Sequence, residues 1–455
     1  MSGNPVPRSR ELFGHPRGLF VLAGTELWER ISFNGMQALL VLYMVQQVLL
    51  PGHIEQVAGF RAFRSIIEYL TGPLSSRALA FQVFGLYIGL VSFTPIFGGL
   101  LGDRVLGRRF AVVLGALLMT AGHFCIAFDA SFLCALLLLI LGAGCMRGNL
   151  ASQMSELYAQ GDHRRATAFQ IYYLVITCGS FIAPLITGAL EKASGWQYGF
   201  GFAGVGMLIG LSIYLVGQRE LPPNRRRAVL ARRPLGGRER RRVLVLALMV
   251  PLLALFWVAQ SQVWNTYNIW ALDQVNLLIL GWAVPVAWLR AFDNLAAVLL
   301  VPLILWWWRH QAQLGREPDE FRKLATGSLI FAFAMIWLAA GCAMSAATDK
   351  VPLLWVLAFH VCANIGWVYF APTAVALFTR AAPAGVNSTM VGVCYLSIFI
   401  GSTVSGRLGA LYERFSSAQF WLIHAAIVGG GGVLLFLLMP RLRRELPLQA
   451  LPQAA

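Results

Sequence analysis

Long apolar runs alternate with short polar connections along the whole chain of 455 residues. A run of at least about 18 apolar residues is long enough for an α-helix to cross a hydrocarbon layer about 30 Å thick. Twelve runs reach this length, at residues 19–49, 78–101, 110–129, 131–157, 166–190, 197–217, 243–270, 278–308, 324–343, 351–379, 388–411 and 418–439. The pattern therefore predicts an all-α membrane protein with twelve transmembrane helices.

Positive charge is concentrated in every second connection. The basic side chains of the termini and the even-numbered connections include Arg8, Arg10, Arg17, Arg104, Arg108, Arg109, Arg164, Arg165, Arg309, Arg316, Arg322, Lys323, Arg441, Arg443 and Arg444. Odd-numbered connections carry few or balanced charges, such as Asp349 beside Lys350. By the positive-inside rule, we expect both termini and all even-numbered connections in the cytoplasm.

The sixth connection divides the chain near its midpoint and contains several arginine clusters. We predict an N-terminal six-helix bundle at residues 1–217, a basic cytoplasmic linker at 218–242, and a C-terminal six-helix bundle with a short tail at 243–455. Six plus six spans with such a linker are typical of the major-facilitator fold, in which substrates bind near the middle of the membrane.

The composition supports the membrane assignment, because 58% of the residues are hydrophobic and only 12% are charged. A water-soluble chain of this length does not have that balance. The formal net charge of +16 is compatible with nucleic-acid binding, but the arginines lie in short connections between apolar runs. We therefore expect membrane lipid, and not nucleic acid, as a partner.

The first apolar run contains several charged and polar side chains. Glu26, Glu29, Arg30, Phe33 and Gln37 occur at helical spacing within it. This spacing places them along one face of an α-helix, where ionisable groups inside a membrane need protein or water around them. We expect this face to point into the protein.

The second connection has the sequence Gly-Gly-Leu-Leu-Gly-Asp-Arg-Val-Leu-Gly-Arg-Arg from Gly98 to Arg109. Its glycines permit tight turns between helix and loop, and its charged side chains can pair across helix ends. The segment resembles the motif that major-facilitator transporters carry between their second and third spans. The resemblance implies gating, rather than substrate contact, for Asp103, Arg104, Arg108 and Arg109.

The charged stretch of the first run resembles Glu-x-x-Glu-Arg-Phe-x-Tyr-Tyr-Gly, a signature of the proton-dependent oligopeptide transporter family. Glu26, Glu29 and Arg30 match this signature; Ile31, Phe33 and Asn34 replace its aromatic residues, and Gly35 is retained. A carboxylate beside a guanidinium is paired when ionised and released when protonated. The resemblance implies that Glu26, Glu29 and Arg30 couple proton binding to a conformational change, and it leaves open which glutamate carries the proton. A static salt network that fixes the first helix is the alternative.

The likeness extends to the fifth and seventh spans. The segment from Phe169 to Pro184 is similar to the family pattern Phe-x-x-Phe-Tyr-x-x-Ile-Asn-x-Gly-x-x-x-x-Pro, with Tyr173 and Gly179 matching and Thr177 replacing the asparagine. The seventh span resembles a Phe-Trp-x-x-x-x-Gln pattern with a polar tail, through Phe256, Trp257, Gln262, Asn265 and Asn268.

Three positions that are charged in the family carry a different residue here. Arg147 stands in the fourth span where the family has a lysine, and Gln37 replaces an arginine in the first. The tenth span keeps the family's proline as Pro372 but has Trp367 in place of a glutamate. Because a guanidinium fork suits a carboxylate, Arg147 is our leading candidate to bind the C-terminus of a peptide.

The eighth span contains an additional acid, Asp293. In this interpretation it takes the place of the glutamate that is missing at Trp367. Asp293 aligns with a family asparagine, and we expect it to bind the substrate's ammonium group, steadied by Arg290; a purely structural Arg290–Asp293 pair is the alternative. The resemblance implies substrate contacts at Phe33, Asn34, Gln37, Arg147, Tyr173, Thr177, Gln262, Asn265, Asn268, Asp293 and Trp367.

His123 and His360 lie within spans and are either proton relays or packing groups. We expect Glu156 to be a gate or surface group.

The resemblance implies a proton-coupled symporter that imports di- and tripeptides by alternating access across a bacterial inner membrane, as a monomer, with protons as coupling ions and no metal or organic cofactor. A carrier of amino acids, nitrate or another small zwitterionic or anionic metabolite is the alternative within the same fold. A membrane-embedded enzyme is disfavoured because the sequence has no acidic or histidine-rich cluster that could hold a metal or activate a nucleophile. A receptor-like relative is disfavoured because no soluble domain is appended.

Overall fold

The computed structural model describes residues 11–159, 162–224, 235–345 and 350–446. Arg8, Arg10, Asp349 and the linker arginines between residues 225 and 233 lie outside these described residues.

Helices account for nearly all regular structure in the described residues. The α-helices are α1 (Arg17–Tyr43), α2 (Phe60–Thr71), α3 (Ser76–Phe93), α4 (Pro95–Leu101), α5 (Arg108–Cys125), α6 (Phe132–Glu156), α7 (Arg164–Ser194), α8 (Trp196–Gly217), α9 (Gly237–Gln262), α10 (Thr266–Gln274), α11 (Ala287–Gln313), α12 (Glu320–Met344), α13 (Leu353–Ala381), α14 (Asn387–Gly409) and α15 (Ser417–Glu445). Each predicted span contains one or two of them, which confirms the all-helical prediction.

Ten helical stretches in the described part of the chain are long and apolar enough to cross a membrane. The other two predicted spans are α1, with 27 residues, and α5, with 18. Charged side chains occur in both, among them Glu26, Glu29 and Arg30 in α1 and Arg108 in α5. Twelve spans therefore match the sequence pattern, and the two polar ones carry candidate functional residues.

Short strands join helix ends in three two-stranded pairs. The strands are β1 (Glu11–Leu12), β2 (His15–Pro16), β3 (Val275–Asn276), β4 (Leu278–Ile279), β5 (Trp282–Ala283) and β6 (Val351–Pro352). β1 with β2 and β4 with β5 are antiparallel, and β3 with β6 is parallel. In the parallel pair Val275 is opposite Val351, so the connection after α10 is tied to the start of α13.

Three predicted spans differ in detail from the helices. The second is broken between α3 and α4 where Pro95, which lacks an amide hydrogen, begins the new helix. The seventh is interrupted between α9 and α10, where Asn265 has the non-helical angles φ −112° and ψ −105°. The eighth begins at Ala287 and not at residue 278, because the preceding residues form the β4–β5 hairpin around Leu280 and Gly281, whose φ angles are +51° and +80°.

The described residues form two compact units. Unit 1 comprises Met1–Ile66 and Thr94–Val229, and unit 2 comprises Ile67–Phe93 and Leu230–Ala455. Helix α3 therefore packs with the helices of the C-terminal part of the chain. The predicted bundles at residues 1–217 and 243–455 are divided along the sequence, whereas these two units are defined by packing. The predicted division into bundles therefore stays a prediction.

In unit 1, α1 packs against α7 and α8, while α5 packs against α6. The close crossing of α4 and α6 depends on small residues, since a Cβ atom added to Gly98 would overlap the backbone of Gly144. Transmembrane helices associate through such backbone contacts because lipid provides no hydrophobic driving force between them.

In unit 2, α12 packs against α13 and α15, and α14 packs against α3 and α9. Helices α3 and α14 cross at Gly85, where an added Cβ would lie 2.8 Å from the Cα atom of Gly406 and would overlap the carbonyl oxygen of Ser402. The atoms that this added Cβ would overlap belong to the backbone, which cannot rotate away as a side chain can. This crossing therefore tolerates no side chain at Gly85.

Replacing Gly85 by Ala should lower the stability of unit 2 by about 1–3 kcal/mol through overpacking. The matched control is Gly430→Ala in α15, where an added Cβ meets nothing within 4 Å. Alanine favours a helix over glycine by about 1 kcal/mol, so the control should be as stable as the wild type or more so. Thermal unfolding of the purified proteins in detergent measures the difference, and equal midpoints for both variants would contradict the crossing.

Candidate functional site

The charged face of α1 forms a buried ion-pair network in unit 1. Arg30 donates from Nε to Glu26 Oε1 at 2.9 Å, and its Nη2 lies 2.8 Å from the same oxygen. Glu29 Oε2 lies 2.9 Å from Arg30 Nε but off the N–H direction, so this second contact is electrostatic rather than a hydrogen bond. Both glutamates are buried, Glu29 completely. The predicted cluster of Glu26, Glu29 and Arg30 is therefore one connected group.

Helix α6 contributes a second guanidinium to this network. Arg147 donates from Nε to Glu29 Oε1 at 3.2 Å, and its Cζ atom lies 4.0 Å from the centre of the Phe33 ring. A cation over an aromatic face is stabilised by the ring quadrupole. Glu29 is thus held between Arg30, a predicted proton-coupling residue, and Arg147, a predicted substrate-binding residue.

Helix α7 supplies a hydrogen bond that the sequence motifs do not predict. The hydroxyl of Tyr172 donates to Glu26 Oε2 at 2.8 Å, and Tyr172 is buried. Its neighbour Tyr173, the predicted substrate contact, is 55% exposed. Adjacent helix positions point about 100° apart, so the family match at Tyr173 alone did not indicate which tyrosine faces α1.

The network contains two carboxylates, Glu26 and Glu29, and two guanidiniums, Arg30 and Arg147. Its formal charges balance when both acids are ionised, which is the arrangement that makes buried charges tolerable. Protonation of one glutamate removes one negative charge and leaves a guanidinium to find another anion. The arrangement can therefore exchange a proton for a new partner of Arg30 or Arg147.

The other candidates of unit 1 surround this network. Asn34 donates to the carbonyl of Arg30 at 3.0 Å and to Ser180 Oγ at 3.1 Å, and Gln37 is buried one turn beyond Phe33. The hydroxyl of Thr177 is directed to the carbonyl of Tyr173 within α7. Each of these substrate roles stays a prediction.

His123 of α5 is completely buried, and neither of its ring nitrogens has a hydrogen-bond partner among the described residues. Its role, as proton relay or packing group, stays a prediction.

The predicted acid of unit 2 has partners that differ from those expected. Asp293 Oδ1 accepts hydrogen bonds from His360 Nδ1 at 2.9 Å and from Asn364 Nδ2 at 2.8 Å. The charge of Arg290 also acts on Asp293, while the Arg290 guanidinium stacks on the ring of Trp264 at 4.4 Å. Asp293 is thus oriented chiefly by α13, which sequence spacing along α11 could not reveal.

The remaining candidates of unit 2 lie mostly in packing interactions. Gln262 donates to the carbonyl of Ser405 at 2.8 Å and contacts His424 Nε2 at 3.0 Å. Asn265 donates to the carbonyl of Phe81 at 2.9 Å, and Asn268 donates to Trp264 at 3.0 Å; Trp367 is half-buried. These contacts occupy the amide nitrogens of the three polar side chains.

Two of the predicted gating residues, Asp103 and Arg108, form a separate ion-pair cluster in unit 1. Arg108 donates from Nε to Asp103 Oδ1 at 2.7 Å and also pairs with Glu156, so it links α5 to the end of α6. Arg109 donates to the carbonyls of Leu221 and Pro222. Arg104 is exposed. Glu156, expected to be a gate or surface group, thus takes part in the same ion pairs.

A further charged cluster precedes α7. Arg164 donates to both carboxylate oxygens of Asp162 and to Glu11 Oε1 at 2.8 Å. The hydrogen bonds from the Arg164 side chain and amide lower the pKa of Asp162, and those to Asp162 and Glu11 raise the pKa of Arg164. Nearby, burial raises the pKa of Tyr158 to about 12, and its hydroxyl lies 2.9 Å from His15 Nδ1. Tyr158 and Arg164 thus connect the end of α6 and the start of α7 to the β1–β2 hairpin.

A multi-pass helical fold with a charge-balanced network inside a span and paired charges at helix ends defines a secondary transporter. The chain belongs to the POT family, whose model matches residues 109–229 and 234–423. Membership confirms the predicted resemblance of the chain to the proton-dependent oligopeptide transporters and the assignment of the protein as a transporter rather than an enzyme.

Curated relatives match over almost their whole length. The peptide transporter YePEPT of Yersinia enterocolitica subsp. palearctica is 26% identical over 476 aligned positions, covering 89% of each chain. The uncharacterized transporter YclF of Bacillus subtilis is 26% identical over 97% of each chain. A di-/tripeptide transporter of Lactococcus lactis subsp. cremoris is 24% identical over 94% of this chain and 96% of its own.

Solved structures confirm the major-facilitator fold of this family. A mutant of the peptide transporter POT in complex with alafosfalin superposes with a TM-score of 0.84 at 24% identity, covering 96% of this chain and 97% of that one. A POT family transporter in complex with 5-aminolevulinic acid gives a TM-score of 0.80 at 23% identity, covering 95% and 98%.

Replacing Tyr172 by Phe should destabilise the network, because Glu26 Oε2 loses its hydroxyl donor inside the protein. Hydrogen bonds to charged groups contribute about 1.5–3 kcal/mol, so the thermal unfolding midpoint in detergent should fall measurably. Tyr173→Phe is the matched control, since it removes the same hydroxyl from a more exposed neighbour. A larger effect of Tyr173→Phe would show that Tyr172 does not support Glu26.

Proposed function

We propose that this protein is a proton-coupled symporter that imports di- and tripeptides by alternating access. The observation that carries the proposal is the position of Glu29, completely buried between Arg30 and Arg147. The peptide and di-/tripeptide transporters among its relatives, which match over most of both chains, support a peptide as the substrate.

Coupling follows from competition for Arg147 in this proposal. While Glu29 is ionised, its carboxylate holds Arg147 by the 3.2 Å hydrogen bond. A proton on Glu29 removes that charge, and the guanidinium of Arg147 then binds the carboxylate at the peptide's C-terminus. Proton and substrate thus each favour binding of the other, which is the linkage that symport requires. Glu26 remains held by Tyr172 and Arg30 in this scheme, which favours Glu29 as the proton carrier.

Asp293 of α11 is the acid that the sequence predicts to bind the substrate's ammonium group. We assign the peptide's ammonium to Asp293, through its Oδ2 atom, because Oδ1 already accepts from His360 and Asn364. The Asp293 side chain keeps 10% exposure, so the carboxylate is not fully enclosed. The hydrogen bonds at Oδ1 orient the carboxylate for this contact.

The cellular setting is part of the same proposal. The charge pattern of the connections supports cytoplasmic termini, and the bacterial relatives support the bacterial inner membrane. The ion pairs of Arg108 with Asp103 and Glu156 act as a gate that opens and closes with the transport cycle. We expect a monomer in contact with membrane lipid, with protons as coupling ions and no metal or organic cofactor.

A second candidate is transport of amino acids, nitrate or another small zwitterionic or anionic metabolite. Two positions favour it, since Trp367 and Gln37 carry no charge where the family resemblance implies charged groups. A structural neighbour in complex with 5-aminolevulinic acid, a small zwitterion, points in the same direction.

Uptake of labelled dialanine into proteoliposomes, with and without an inward proton gradient, tests the proposal. Wild type should accumulate dialanine only with the gradient, and Glu29→Gln should lose this accumulation because the amide side chain does not bind the proton. Glu55→Gln is the matched control, since Glu55 is an exposed acid bonded to the amide of Gly52. Failure of folded wild type to take up dialanine under any gradient would reject the peptide substrate, and uptake of labelled glycine or nitrate would then support the second candidate.

A further inference from the structure

A chain of hydrogen bonds crosses three helices of unit 2. The hydroxyl of Tyr267 on α10 lies 2.7 Å from His360 Nε2 on α13. His360 Nδ1 lies 2.9 Å from Oδ1 of Asp293 on α11, which also accepts from Asn364 at 2.8 Å. An imidazole with an acid on one nitrogen and a hydroxyl on the other is therefore built into the interior of unit 2.

Burial makes this arrangement costly unless its charges are compensated. The side chain of His360 is 1% exposed and that of Asp293 is 10% exposed. An unpaired carboxylate in such surroundings costs several kcal/mol or more. Hydrogen bonds from His360 and Asn364 reduce this cost for Asp293 in the ionised form.

The geometry accommodates both protonation states of His360. An ionised Asp293 can only accept, so His360 Nδ1 carries a hydrogen and, in the neutral ring, Nε2 has a lone pair. The Tyr267 hydroxyl then donates to Nε2. When Nε2 is protonated, the ring donates and the same hydroxyl oxygen accepts, so no side chain has to move.

The charges near His360 come chiefly from α11. Asp293 contacts it directly, and Arg290 acts on Asp293 through its charge. Tyr267 is the titratable group that α10 places against the ring. The charged residues elsewhere on α10 and on the helices packed against α13 are Asp273, Arg309, Arg238, Glu239, Arg240, Arg241, Arg242, Glu320, Arg322, Lys323 and Arg407.

Two of these other charges, Glu320 and Asp273, already have ion-pair partners. Glu320 pairs with Arg380, which is 20 positions from His360 along α13, or about 30 Å at 1.5 Å per residue. Asp273 is paired with Arg77. The positive charge of Arg290 balances Asp293 while His360 is neutral, and one added proton makes the group cationic.

We propose that His360 is a proton-binding site with Asp293 as its counter-ion, a second proton site of the transporter located in unit 2. The coupling role rests on the proposed symport of peptides. Imidazolium and the substrate's ammonium are both cations that use the Asp293 carboxylate, so each weakens binding of the other. A proton on His360 therefore favours departure of the substrate's ammonium, whereas a proton on Glu29 favours binding of its carboxylate.

Proton binding is tested on the substrate-free protein in lipid nanodiscs, by nitrogen NMR of ¹⁵N-histidine between about pH 5 and pH 9. Loss of a signal in His360→Gln assigns His360. We expect its nitrogens to change from the neutral Nδ1–H form to the doubly protonated form as the pH is lowered. In Asp293→Asn the midpoint should fall by about one pH unit or more, a roughly tenfold loss of proton affinity.

His424 provides a matched internal control in the same spectra. It is buried in unit 2, and its ring contacts the carbonyl of Phe420 and the amide of Gln262 without a carboxylate. Its signal should stay neutral and should not respond to Asp293→Asn. A His360 signal that stays neutral throughout, or that titrates identically in Asp293→Asn, would overturn the proton site.

The coupling role is tested separately by dialanine uptake at several internal and external pH values. A proton on Glu29 favours dialanine binding and a proton on His360 opposes it, so removing the opposing site should change how KM depends on pH. In His360→Gln, acidification should lower the KM for dialanine about threefold or more relative to its effect on wild type. An unchanged pH dependence of KM in His360→Gln would overturn the coupling role. If wild type does not transport dialanine, the peptide proposal fails while the NMR titration still decides the proton site.

Discussion

Charge balance inside an apolar medium is the constraint on which this structure depends. Glu29 is completely buried, and it is tolerable there because Arg30 and Arg147 lie on two sides of it. Removing one partner from a buried pair leaves an uncompensated charge, which typically costs about 3–5 kcal/mol. The network therefore holds α1 and α6 together, and any change in its protonation alters that link directly.

The same constraint governs unit 2 with different side chains. There the acid is Asp293, and its hydrogen-bond partner is a titratable imidazole rather than an arginine. A guanidinium stays charged at every physiological pH, whereas a histidine gains or loses its charge near neutrality. The Glu29–Arg147 pair of α1 and α6 can change its charge only at the acid. The Asp293–His360 pair of α11 and α13 can also change its charge at the base. The proton sites proposed for the two units thus differ in the group that takes up the proton, which is an acid in unit 1 and a base in unit 2.

Sequence patterns predicted the helices well and the contacts between helices only in part. Apolar runs of membrane-spanning length need no long-range information, so the spans were accessible from hydrophobicity alone. The hairpin before α11 was missed because its residues are as apolar as those of a helix, and the turn depends on two positive φ angles at Leu280 and Gly281. The direct bond between Arg147 and Glu29 joins residues 118 positions apart, and no spacing rule relates them.

The residues of the candidate site were likewise predicted only in part. Glu26, Glu29 and Arg30 are close in sequence and were predicted as a group, which the ion pairs confirm as a spatial cluster. The contacts of Tyr172 with Glu26 and of His360 with Asp293 depend on how other helices are rotated and packed, so the sequence does not reveal them. A family motif fixes positions along one helix, but the neighbour across the interface depends on the full set of helices around it.

The crossing of α3 and α14 has a consequence for the order in which the protein can be made. Helix α3 packs in unit 2 through Gly85 against Gly406, and Asn265 donates to the carbonyl of Phe81 on the same helix. During synthesis α3 enters the membrane about 300 residues before α14 exists. Its glycine surface then faces lipid or other helices until the last spans are inserted, so unit 2 completes its packing only at the end of translation.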